Sequence, residues 1–211
     1  MHKIDLKNIG VVMDTVDDNT LSKIHAEIAK IKVNMPAAQK YNSQLAGNIE
    51  REFKLKDCHA AIEQLVIPLA DYHEQEYPCR WMLSKSVPSN PSVPPKLWLS
   101  SIWVNFQQKY EFNPVHAHSG VYSFVIWTKI PFDRDDEMQK APGSRSSDPK
   151  AGAFEFVYPN VLGSIGVQQF PMTKELEGKI VLFPAMLSHQ VYPFYTADGY
   201  RISVSGNIFF T

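Results

Sequence analysis

The sequence predicts a mostly β protein, an antiparallel sandwich or jelly roll with helices packed on one outer face. Helix-spaced apolar residues are confined to the first 78 positions. Beyond them, short β-branched and aromatic runs alternate with loops, and no run is followed by a crossover helix. At 211 residues the chain fits one domain, 1–211, able to bury roughly 70% of its unfolded surface. Residues 1–78 read as a helical part packing on the barrel, and 79–211 as its jelly-roll core.

Asp18, Asn19 and Thr20 can cap a helix whose apolar positions Leu21, Ile24, Ile28 and Ile31 keep helical spacing up to Met35-Pro36. A second helix is expected from Asp57 to about Glu76, with Ala61, Leu65, Leu69 and Tyr72 along one side and a kink at Pro68. YNSQLAGNIEREFKL between them reads as a loose connection. The strand runs are LWLSSIWVNFQ, VYSFVIWTKI, GAFEFVY, KIVLFP, HQVYPF and RISVSGNIFF. Proline-rich 86–96 and charged, Gly/Ser/Pro-rich 132–152 read as long loops.

Composition narrows the function. With 21 basic and 22 acidic residues and no basic tract, the chain lacks the positive surface that nucleic-acid binding needs. Cys58 and Cys79 are too few for a disulfide framework and suit a reducing compartment. Acids interrupt the N-terminus where a signal peptide would be apolar, and no apolar run approaches about 18 residues. A soluble, cytoplasmic protein is expected, with no membrane partner and no heptad demanding an oligomer.

The chemistry concentrates in NPVHAHSGVY, residues 113–122. On a strand, His116 and His118 point to one face. His189 follows a buried-looking strand and a proline turn, KIVLFPAMLSH, which brings a distant strand end toward the same mouth. Three imidazoles so placed form a metal-ligand set with open coordination positions. His2, His25, His59 and His73 read as solvated or packing residues. Arg201 and Ser203 share a face of the last strand, and a buried arginine there calls for an anion, a carboxylate above all. An internal ion pair with Glu155 is the competing explanation.

WVNFQQKYEFNPVHAHSGVYS, GKIVLFPAMLSHQVYP and RISVSGNIFF, in that order over roughly 98–211, resemble the iron(II)- and 2-oxoglutarate-dependent oxygenases. The resemblance is nearest to the small oxygenases of phages and marine bacteria, a prolyl-hydroxylase-like branch, which would make a phage-encoded origin natural. It implies a double-stranded β-helix, cupin-like in outline, with iron(II) at its mouth and 2-oxoglutarate as co-substrate. It also implies His116 and His189 as ligands, Arg201 as anchor of the far carboxylate, Ser203 as its helper, and Asn105 and Tyr122 as further polar contacts. The implied reaction converts 2-oxoglutarate to succinate and carbon dioxide while hydroxylating an unactivated C–H bond. Protein side chains, amino acids and small metabolites all qualify as substrate, and the loops at 86–96 and 132–152 are natural candidates to contact it.

Most of this superfamily carries Asp or Glu where His118 stands. His118 is then a third neutral ligand, or it supports the site while Glu155 or Asp198 supplies a carboxylate, or the metal differs. Two rival readings also fit parts of the pattern. Cupins, including three-His thiol dioxygenases and metal-bearing sugar isomerases, use H-x-H with a distal His, although the cupin glutamate is missing from HSGVYSFV. A non-catalytic jelly-roll interaction module would make the histidines incidental and leave Trp98, Trp103 and Trp127 as core or binding face.

Overall fold

A computed structural model describes residues 8–83 and 96–211. Its strands are β1 (Val12–Thr15), β2 (Glu52–Leu55), β3 (Leu97–Gln107), β4 (Asn113–His116), β5 (Tyr122–Lys129), β6 (Phe154–Pro159), β7 (Ile165–Phe170), β8 (Lys179–Pro184), β9 (His189–Val191) and β10 (Arg201–Phe210). The helices are α1 (Asp18–Val33), α2 (His59–Glu76) and α3 (Arg134–Lys140). The strands form two antiparallel sheets, ordered β1-β8-β5-β10-β3-β2 and β4-β9-β6-β7, the jelly-roll arrangement. The proline-rich stretch 86–96 lies outside the described residues except for Lys96.

Each expected strand run forms a strand, and the reason is visible in β5. Its Phe124 and Ile126 enter the core beneath the helices, whereas Val125 and Trp127 enter the core between the sheets. The strand is thus apolar on both faces, as period-two geometry requires of a doubly covered strand. Ile24, Ile28 and Ile31 of α1 and Ile62, Val66 and Leu69 of α2 cover the outer face. Each such side chain contributes roughly 1.5–3 kcal/mol on burial.

Several details depart from the sequence expectation. The α1 cap is Asp17, one residue earlier than the expected trio, and its carboxylate accepts from Thr20 N at 2.9 Å. α2 starts at His59, two residues later than expected, and carries Pro68 inside it on the way to Glu76. The connection YNSQLAGNIEREFKL contains β2, an edge strand paired with β3, and β1 likewise borders β8 at the opposite edge. The N-terminal part therefore contributes strands to the larger sheet as well as helices. Within 132–152, α3 buries Glu137, whose carboxylate accepts from Tyr195 N and Thr196 N, so this excursion is pinned to the body.

The H-x-H segment is not one continuous strand. β4 ends at His116 in the smaller sheet, and β5 begins at Tyr122 in the larger one. The chain changes sheets through 117–121, where Gly120 has φ +108° and a Cβ would lie 2.7 Å from Ile208 O. Only glycine fits that crossing.

Candidate active site

β4 and β9 pair with His116 directly opposite His189. His118 joins them from beyond the end of β4, its N–H donating to Ala185 O at 2.8 Å. One ring nitrogen from each of the three histidines lies within 4.8 Å of the others, the geometry of a metal-binding group. His118 Nε2 faces His189 Nε2 at 3.2 Å.

The tautomers follow from the hydrogen bonds. A carbonyl can only accept, so His116 Nδ1–H donates to Pro114 O at 2.7 Å and His189 Nδ1–H donates to Leu187 O at 3.1 Å. The Nε2 lone pair of each ring is left free to bind a cation, with its orientation fixed by the carbonyl behind it. Burial lowers the pKa of all three rings: His118 falls to about 4, with His116 adding repulsion, and His189 lies well below the usual range. The group is therefore neutral and lone-pair-rich at neutral pH. His189 rests against Phe154, Phe156 and Phe183, while His118 lies 5.6 Å from the Trp103 ring.

These histidines line a cavity of about 180 Å³ together with Trp103, Asn105, Gln107, Arg201 and Ser203. Its floor is the inner face of the larger sheet, where cross-strand rows place Gln107 beside Arg201 and Asn105 beside Ser203. Asn105 Nδ2 donates to Ser203 Oγ at 3.2 Å.

Arg201 is 3% exposed and bonds to no carboxylate among the described residues. Its Nε and Nη2 both donate to Gln107 Oε1, at 2.9 and 2.6 Å. Nη1 donates to Gly152 O and Nη2 to Tyr192 O, while Phe132 and Phe194 flank the guanidinium. Burial draws its pKa down to about 9, opposed by Glu137, which leaves it a cation at neutral pH. A buried cation whose direct partners among the described residues are neutral acceptors has the charge and the planar fork to receive a carboxylate.

The rival placements of charge are set aside. Glu155 turns to Lys150 and Gln190, and Asp198 pairs at the surface with Lys109. Neither is among the residues lining the cavity. Tyr122 is a correction to the sequence reading: it starts a new strand after the turn at Gly120 and points into the helical core against His73 and the Arg80 guanidinium. Conversely, Gln107 and Glu52 line the cavity without having been singled out as site residues. The parity shared by Asn105 and Gln107 on LWLSSIWVNFQ was the available signal for Gln107.

Three converging neutral imidazoles, two of them oriented by carbonyls, beside a buried arginine fit a divalent iron chelated by a dicarboxylic oxoacid. A family model described as "Putative 2OG-Fe(II) oxygenase" matches residues 101–207, half of the chain. No curated protein matches the chain. Among solved structures, a Pseudomonas putida prolyl-4-hydroxylase is similar at 12% identity and TM-score 0.54, over 96% of this chain and 93% of that one. The α-ketoglutarate-dependent epimerase SnoN from nogalamycin biosynthesis gives 13% identity and TM-score 0.55, over 94% and 76%. AviO1 from Streptomyces viridochromogenes gives 10% and 0.52, over 94% and 89%. At such identities these likenesses speak for the fold, and the family match, spanning both H-x-H and the arginine strand, identifies the chain as a member of the 2OG-Fe(II) oxygenases, enzymes that work with iron(II) and 2-oxoglutarate.

Proposed function

We propose that His116, His118 and His189 hold iron(II) through their Nε2 atoms and that the enzyme hydroxylates an unactivated C–H bond of a protein side chain, amino acid or small metabolite. Arg201 takes the far carboxylate of 2-oxoglutarate, with Ser203 and Asn105 beside it. The observation that carries this reading is the pairing, in one cavity, of three converging imidazoles with a buried arginine that bonds to no carboxylate among the described residues.

Bound together, iron and 2-oxoglutarate supply oxygen activation driven by decarboxylation. The chain's own residues position and shield. Pro114 O and Leu187 O fix two of the three imidazole planes, so His116 and His189 are oriented before the metal arrives. Phe154, Phe156 and Phe183 close the side behind His189 against water. Gln107 holds the guanidinium fork in plane and is the neutral group that an incoming carboxylate would displace or join. A neutral three-His set leaves the metal one positive charge richer than a set containing a carboxylate, which favours anionic co-substrate.

The three-His set alone would also serve a thiol dioxygenase. Arg201, Asn105 and Ser203 on the cavity floor favour the oxoacid. The test follows oxygen: the protein is supplied with iron(II), 2-oxoglutarate and pools of peptides, amino acids and metabolites under ¹⁸O₂. Succinate formed in step with a product 18 Da heavier supports hydroxylation; oxidised thiols without succinate would overturn it. His118→Ala should lose stoichiometric iron binding, and retained binding would remove His118 from the ligand set.

A further inference from the structure

The cavity contains a second buried charged group, far in the sheet from Arg201. Glu52 stands on edge strand β2, directly across from Asn105, itself across from Ser203. With strands about 4.8 Å apart and about 3.4 Å per residue, the Glu52 and Arg201 backbones are roughly 12 Å apart on one floor. Glu52 is 3% exposed and lines the cavity. Its Oε2 accepts from Asn42 Nδ2 at 3.1 Å, while its Oε1 is buried with no partner among the described residues.

No lysine or arginine forms an ion pair with it among the described residues, although Lys54 is two residues along the same strand. Burial, with Glu111 adding repulsion, holds its carboxyl up at about 7, Asn42 opposing. A second acceptor in the same cavity, Asn113 Oδ1, is likewise buried and unpartnered. Gly47, with φ +143°, brings the 41–48 segment so close that a Cβ there would clash with Asn113 Oδ1. Tyr41, Gln44, Leu45 and Ala46 of that segment line the same wall.

Among the described residues, one end of the cavity therefore offers a cation bonded only to neutral acceptors, and the other a carboxylate oxygen, Glu52 Oε1, and an amide oxygen, Asn113 Oδ1, without donors. Buried polar groups in folded proteins are paired, so unmatched acceptors grouped in a cavity mark the place of a donor-bearing ligand. We infer that Glu52, assisted by Asn113, is the specificity-determining residue for the primary substrate and that it receives an organic cation, a primary ammonium or a guanidinium. This rests on the proposed function for the cavity's role as reaction site. Arg201 then serves the oxoacid and Glu52 the molecule to be oxidised, so the anionic and the cationic ligand are sorted to opposite ends of one cavity.

The test uses L-lysine and L-arginine as cationic probes and L-norleucine, which replaces the lysine ammonium by a methyl group, as control. Binding to the anaerobic iron(II)- and 2-oxoglutarate-loaded protein is measured by calorimetry. A cationic probe should bind about 10-fold or more tightly than norleucine. Glu52→Gln should abolish that preference while iron and 2-oxoglutarate still bind. Equal affinity for charged and neutral probes, or an undiminished preference in Glu52→Gln, would overturn the inference. Asn113→Ala, which leaves the acid in place, should weaken the cationic probe several-fold and norleucine not at all; if Glu52→Gln fails to fold, an unchanged preference in Asn113→Ala overturns it instead. Repeating the titration without metal separates this result from the metal reading, because the cation contact involves no histidine.

Discussion

Single side chains in the cavity are defined by how they are placed. Three imidazoles converge with one ring nitrogen each, and among the described residues the Arg201 guanidinium donates only to neutral acceptors. His189→Ala should abolish iron binding while circular dichroism stays native, and retained stoichiometric binding would exclude His189 as a ligand. Gln107→Glu should place an internal carboxylate in the Arg201 fork and block 2-oxoglutarate, leaving iron affinity unchanged; Arg201→Ala should weaken 2-oxoglutarate by about 2–4 kcal/mol. Undiminished 2-oxoglutarate binding in either variant would move the anchor elsewhere. Acid sensitivity follows from the rings: their folded pKa values are depressed, so the unfolded chain takes up protons first and metal-free stability falls as pH drops from about 6.5 toward 4. Glu52 opposes this, since its raised pKa gives stability that is full below about 4.5 and is lost as pH rises through about 7. Glu52→Gln should therefore make thermal stability fall more steeply between pH 6.5 and 4.5, and an unchanged slope would contradict the assigned shifts. His116, His189 and Arg201 were legible because their residue types are rare on strands without a task. Glu52 was hidden by its neighbours, since EFKL alternates acid and base with two apolar residues over only four positions, too few to separate an edge strand from a loop.

Elements reach the site by leaving regular structure at the right residue. The sequence reading placed both histidines of H-x-H on one strand face, and their convergence holds although the strand stops at His116. Parity carried past that point fails, which is why Tyr122 faces the helices. The cause is the sheet change at Gly120, and Gly120→Ala should cost about 1–3 kcal/mol and loosen iron binding by displacing His118. A variant with native melting temperature and native iron affinity would mean that the crossing tolerates a side chain. Long apolar runs such as KIVLFP and RISVSGNIFF declared themselves as strands because both faces are buried. β1, β2 and β7 did not, being short or largely exposed edge strands whose polar faces resemble connections.

Across the whole molecule, the helical core draws on α1 and α2 together with β3, β5, β8 and β10, and both edges of the larger sheet come from the first 55 residues. Unfolding should accordingly be one cooperative transition by calorimetry and circular dichroism, and a chain lacking residues 1–78 should not fold. Two separate transitions would divide the chain into independent parts. The two-sheet frame brings β4, β9, β10 and β3, distant in sequence, around one cavity, and the central claim is that this cavity is an iron(II) and 2-oxoglutarate site. Its most direct measurement is an anaerobic titration of 2-oxoglutarate into the iron(II)-loaded protein, following the weak visible charge-transfer band of the chelate. The account predicts a saturable band that vanishes in His189→Ala and shifts to higher 2-oxoglutarate concentration in Arg201→Ala; tight iron binding with no band at any concentration would contradict it.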